Sequence, residues 1–155
     1  MNKNKALQKA INLHLSGKNV EASKAYNALL VSEPSNLIAL NNLASLLNVS
    51  GEYEKAKLLL NRALYIKPNY IDALNNLGIS MKLSKEFSEA VKIFEKIINL
   101  KPDFVKALIN LGNSLQSLNR FEDALKIYKK ASIIQPESTE VLYNEATCLN
   151  ELNFH

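Results

Sequence analysis

Four asparagines, Asn42, Asn76, Asn110 and Asn144, stand 34 residues apart in this 155-residue chain. They sit in the segments ALNNLA (39–44), ALNNLG (73–78), ALINLG (107–112) and VLYNEA (141–146). Asn is a mediocre helix former, costing about 0.6 kcal/mol relative to Ala, so its return at one spacing asks for a reason. Its amide carries two donor hydrogens and an acceptor oxygen without charge. Such a group pairs with the N–H and C=O of an extended peptide without selecting its side chains. The competing use is internal, since an exposed Asn also keeps a surface wet or bonds a neighbouring helix. Asn is about one residue in eight here, so part of the coincidence follows from composition.

The other chemistry-bearing residues do not assemble into a reaction centre. His14 and His155 are the only histidines and Cys148 the only cysteine. A lone His on a helix reads as structural or solvated, and Cys148, near Leu149 and Leu152, reads as a small packed residue or part of an exposed end. Gly17-Lys18 lacks the rest of a phosphate-binding loop. Asn48-Val49-Ser50 spells a glycosylation acceptor at the end of a helix, where it reads as chance. Glu52/Lys55, Glu86/Glu89 and Glu122/Asp123/Lys126 read as solvated helix faces. The expectation is a protein that is not an enzyme, with no catalytic residue, no metal site and no cofactor.

The elements that must position the asparagines share their period. All four prolines (Pro34, Pro68, Pro102, Pro136) are 34 apart, as are Ala22, Ala56, Ala90 and Ala124. A bulky column runs Tyr26, Leu60, Phe94, Tyr128, and an aromatic one Tyr53, Phe87, Phe121. Leu43, Leu77 and Leu111 each precede a small residue, Ala44, Gly78 or Gly112. Within each unit, apolar residues follow helical spacing twice, broken once by a polar turn. Leu74, Leu77, Met81 and Leu83 precede the polar stretch 84–86, and Phe87, Ala90, Val91, Phe94, Ile97 and Ile98 follow it. Pro then stops the second helix. Helices are expected at 4–16, 19–32, 36–49, 53–66, 70–83, 87–100, 104–117, 121–134 and 138–152. Ser35, Asn69, Asp103 and Glu137-Ser138 supply caps or first-turn polar groups. Gly78 and Gly112 cost about 1 kcal/mol each inside a helix, which makes sense where a neighbouring helix comes very close.

Composition agrees with a packed helical protein. Apolar residues make up 47% of the chain, against 22% charged, enough to bury a core. The net charge of +4 is interspersed along the chain, which disfavours nucleic acid as a partner. The single Cys points to a reducing compartment. The basic start lacks a continuous apolar run, and no stretch is long enough to span a membrane. The expected location is cytoplasmic.

A 34-residue helix–turn–helix unit with these columns resembles the tetratricopeptide repeat (TPR). The likeness gives units at about 3–36, 37–70, 71–104 and 105–138 plus a final single helix, 139–153, in one array over 1–155. The first unit departs most, with Lys9-Ala10 in place of Leu-Gly. PPR repeats, which read RNA with helix pairs of similar length, fit the strict period and the Pro and Ala columns less well.

The resemblance implies an all-α fold, a right-handed α-solenoid of antiparallel helix pairs, with first helices on the concave face. Asn42, Asn76, Asn110 and Asn144 would then form a ladder in that groove, with Gln8 in the first unit. Asn41, Asn75, Asn113 and Ser45 would border it, as would Asn48 and Lys82. The ladder looks like that of the TPR arrays of O-GlcNAc transferases, which holds substrate peptides by their backbone. The carboxylate-clamp mode fits less well: Asn76 and Lys106 suit it, but Asn41 stands where the clamp has Lys, and Asn110 where it has Arg. The implied function is a protein–protein interaction module with a protein or peptide ligand. Two other readings stand beside it: the N-terminal substrate-recognition part of a larger glycosyltransferase-like enzyme, and a scaffold that self-associates through its terminal helix.

Overall fold

The computed structural model describes residues 3–153; His155 lies outside them. Among the described residues the regular structure is helical: α1 (Lys3–Leu15), α2 (Asn19–Ser32), α3 (Leu37–Val49), α4 (Tyr53–Ile66), α5 (Ile71–Leu83), α6 (Phe87–Leu100), α7 (Val105–Ser117), α8 (Phe121–Ile134) and α9 (Thr139–Asn153). None is long and apolar enough to cross a membrane.

Two kinds of turn join the helices, each repeated at the 34-residue period. The turn after a first helix contains one residue in the left-handed region: Gly17 (φ 74°), Gly51 (φ 81°), Lys85 (φ 65°) and Asn119 (φ 57°). Its N–H and that of the next residue close back on the ending helix, as in Gly51 N to Asn48 O and Glu52 N to Leu47 O. These bonds satisfy carbonyls that the helix end leaves unpaired. The turn after a second helix holds the proline. Asn36 N donates to Glu33 O, Tyr70 N to Lys67 O, Phe104 N to Lys101 O, and Ser138 N to Gln135 O. Pro34, Pro68, Pro102 and Pro136 thus take the second place of a four-residue turn, where a fixed φ is pre-set for it.

At α3 and α7 the proline turn moves the cap place one residue beyond the expected one, while at α9 the expected Ser138 holds it. Asn36, not Ser35, caps α3, its side chain accepting the Ala39 N–H at 3.0 Å. Phe104, not Asp103, occupies the cap place of α7, with no side-chain bond. Ser138 accepts the Val141 N–H at the start of α9. The residue after each Pro completes the turn, so the first position that can turn its side chain onto the helix is the next. Tyr70 and Phe104 at that place carry lysines over their rings, Lys67 and Lys101, at 5.4 and 5.5 Å from the centroids.

The chain forms two compact units, Met1–Ser80 and Met81–His155. In the first, Ala22, Tyr26 and Leu29 of α2 pack with Ala10 of α1 and with Ala39, Leu43 and Leu46 of α3. In the second, Phe94, Ile97, Leu108, Tyr128, Ala131, Val141 and Cys148 are buried. The Ala column (22, 56, 90, 124) and the bulky column (26, 60, 94, 128) are wholly buried in both units. The small Ala lets a neighbouring helix approach, and the large residue beside it fills the crossing.

Candidate functional site

Asn42, Asn76, Asn110 and Asn144 are all half-buried. In the first unit they belong to a directed chain of amides. Asn76 Nδ2 donates to Asn41 Oδ1 at 2.9 Å, Asn41 Nδ2 to Asn42 Oδ1 at 3.3 Å, and Asn42 Nδ2 to Tyr26 OH at 3.1 Å. Burial outweighs that last bond and raises the Tyr26 phenol above its ordinary pKa. Two adjacent residues of a helix point about 100° apart, so Asn41 and Asn42 cannot face the same way. Asn41 is the inward member, 8% exposed, and it couples α3 to α5.

Asn48, expected on the groove, is also turned inward, at 7% exposure. Its Nδ2 donates to Asn76 O at 3.3 Å, and Ser80 Oγ donates to its Oδ1 at 2.8 Å. Ser80 Oγ also donates to Asn76 O at 2.9 Å within α5, so Asn48 adds bonds from α3 to a carbonyl and a hydroxyl that are already paired. The same bonds remove Asn48 as a glycosylation acceptor in the folded chain. Asn75 is half-buried, and its Oδ1 is buried with no hydrogen-bond partner. Ser45 is half-buried on α3.

In the second unit, Lys82 Nζ donates to Asn110 Oδ1 at 2.6 Å. Asn144 Nδ2 donates to Asn113 Oδ1 at 3.2 Å, joining α9 to α7. Tyr128 OH donates to the same oxygen at 2.5 Å and lies 2.7 Å from the Gln116 side-chain amide. Burial first, then the fields of Cys148 and Glu140, push that phenol far above its ordinary pKa. Lys82 is half-buried as well, and burial pulls its ammonium down, with Glu140 opposing.

Each of the four column asparagines spends one of its two amide hydrogens, or neither, on the bonds above. A donor hydrogen therefore remains on every one. The sequence treated Tyr26 and Tyr128 as packing residues only. Their hydroxyls orient amides on the adjoining first helices, a role that only the fold brings within reach. Cys148 is fully buried, and burial raises its thiol pKa, the largest of several influences. No group of three or more His, Cys, Asp or Glu among the described residues is placed to hold a metal.

The chain is similar to known proteins in fold and in repeat pattern. Two family models, both described as tetratricopeptide repeat, match residues 16–71 and 83–148, together most of the chain. No curated protein matches it by sequence. Among solved structures, the MamA RS-1 ArsTM double mutant superposes with a TM-score of 0.86 at 19% identity, over 96% of this chain and 84% of that one. A tetratricopeptide repeat protein from Parabacteroides merdae gives 0.85 at 22% identity, over 98% and 59%. YrrB, described as a TPR protein with an unusual peptide-binding site, gives 0.78 at 18% identity, over 96% and 76%. Helix pairs at a 34-residue step, the buried Ala and bulky columns and these matches agree: the chain is an all-α solenoid protein of the tetratricopeptide repeat family.

Proposed function

We propose that this protein binds an extended peptide segment of a partner through Asn42, Asn76, Asn110 and Asn144, with Asn41, Asn75, Asn113 and Ser45 around them. The TPR fold is that of a protein-interaction module, and the finer reading rests on one observation. All four column residues are half-buried and hydrogen-bonded to neighbouring side chains, yet each keeps an amide donor to offer. The bonds hold the amides in place, so a ligand would not bear the cost of ordering them. The description of YrrB as a TPR protein with an unusual peptide-binding site supports peptide binding on this fold, without bearing on the column itself.

A second reading, self-association, is favoured by α9, whose Leu142, Tyr143 and Leu149 are 49%, 71% and 43% exposed. The Asn column is also what supports a substrate-holding role of the O-GlcNAc-transferase type. The test compares proteins captured from a lysate by the native chain and by a variant carrying Asn76→Ala and Asn110→Ala. Partners held by the column drop out of the variant's set. An unchanged set contradicts the proposal, and recovery of the chain's own second copy alone favours self-association.

A further inference from the structure

Lys82 is the cation that the outward helix faces do not explain. Lys55, Arg120 and Lys126 each pair with a carboxylate three residues away on an exposed helix face, and the half-buried Lys57 pairs with Glu54 in the same way. Lys82 instead ends α5 half-buried, and its hydrogen bond runs to a neutral oxygen, Asn110 Oδ1. The residues one period away, Asn48 and Gln116, are neutral and bond inward, to α5 and to Tyr128.

An ammonium only donates. The Asn110 atom 2.6 Å from Lys82 is therefore the amide oxygen, and the NH2 group is turned away from the lysine. The ammonium and the amide together keep donor hydrogens beyond the bond they share. Lys106 lies four residues before Asn110, on the same face of α7, and adds positive charge. Glu140 acts on Lys82 through space without an ion pair between them. A half-buried charge that has lost water and gained a neutral hydrogen-bond partner, with Glu140 acting only through space, has its desolvation cost returned in part alone. A carboxylate returns it through charge-assisted hydrogen bonds.

We infer that Lys82 and Asn110 form a carboxylate position, which selects an Asp or Glu side chain in the peptide held along the second unit. This rests on the peptide-binding reading above and adds a sequence preference to it, which the neutral asparagines do not supply.

The probe is a library of random dodecapeptides displayed on phage, selected against the full chain. Selection should enrich Asp or Glu at one place in the motif. A selected peptide with that acid changed to its amide should bind the native protein about tenfold more weakly, the scale of a lost charge-assisted bond. The same change should cost nothing against Lys82→Gln and the full amount against Lys82→Arg, each variant first checked for native thermal unfolding. Selected peptides without an acid preference overturn this inference and leave the peptide-binding reading standing. Loss of binding on amidating the C-terminus, rather than the side chain, overturns the side-chain assignment. Failure to select any peptide overturns both.

Discussion

A Cβ added to Gly112 would lie 2.5 Å from Cε1 and Cζ of Tyr128. The ring cannot swing away cheaply, because Tyr128 is fully buried and its hydroxyl is bonded to Asn113. Gly112→Ala gains about 1 kcal/mol of helix propensity. Overpacking a filled crossing costs about 1–3 kcal/mol before that gain, and the rigid ring puts this site at the upper end. The expected outcome is a net loss of about 1–2 kcal/mol in denaturant unfolding. A stabilised Gly112→Ala protein would contradict the close approach of α7 and α8.

Lys85 offers the opposite experiment. It holds φ 65° at a place where Gly17 and Gly51 stand in other units. A left-handed conformation costs an L-residue about 1–2 kcal/mol, and Gly escapes most of that while losing more chain entropy on folding. Lys85→Gly should therefore stabilise the protein by about 0.5–1 kcal/mol, read from the unfolding midpoint in urea. Destabilisation would mean that the lysine side chain contributes more than its backbone costs.

Asn48 connects α3 to α5 from a buried position. Asn48→Leu removes the donor to Asn76 O and the acceptor of Ser80 Oγ while keeping most of the volume. Ser80 Oγ still donates to Asn76 O at 2.9 Å, so neither group is left bare, and the expected loss in chemical denaturation is that of the Asn48 bonds themselves, about 1–2 kcal/mol. A neutral result would show that water or a relaxed side chain replaces both bonds.

The buried phenols give stability a sign at high pH. Tyr26 and Tyr128 have folded pKa values raised by burial, while in the unfolded chain tyrosine ionises near its usual value of about 10. Their contribution is thus fully present below about pH 10 and is lost as pH rises beyond it. Lys82, with a depressed folded pKa, works the other way: the unfolded chain holds its proton to about pH 10.4, so stability is gained as pH rises toward that value. Tyr70, raised by burial and then by the field of Asp72, acts in the same sense; three phenols oppose one partly exposed ammonium, and unfolding midpoints should fall above about pH 10. Tyr128→Phe should flatten that fall; an equally steep profile would place its cause elsewhere.

Much of this architecture was legible as period. Pro34 and its three successors mark the turns, and the Ala22 and Tyr26 columns mark the crossings, because close packing admits few residue types at a fixed site. The helix spans followed within a residue. The caps of α3 and α7 shifted by one, because the turn geometry around each proline decides which side chain can reach back, and that is not written in hydrophobicity; Ser138 capped α9 as expected. Asn41 carried a readable hint of its inward place: one period beyond Asn75 stands Ile109, 8% exposed. The bonds from Tyr26 and Tyr128 to the amides had no sequence signal, since they join residues 15 or 16 apart through the angle between helices.

The central claim is that the asparagine column holds a peptide. Its most direct measurement is calorimetric titration of one selected dodecapeptide into the native chain, into Asn42→Ala with Asn76→Ala, and into Asn110→Ala with Asn144→Ala. Each hydrogen bond contributes about 1 kcal/mol, so the pair that holds the peptide should weaken binding by about tenfold or more when removed. Ala is the better helix former, which offsets part of the lost amide bonding and should keep each variant within about 1–2 kcal/mol of native stability. Native affinity in both folded double variants would contradict the account.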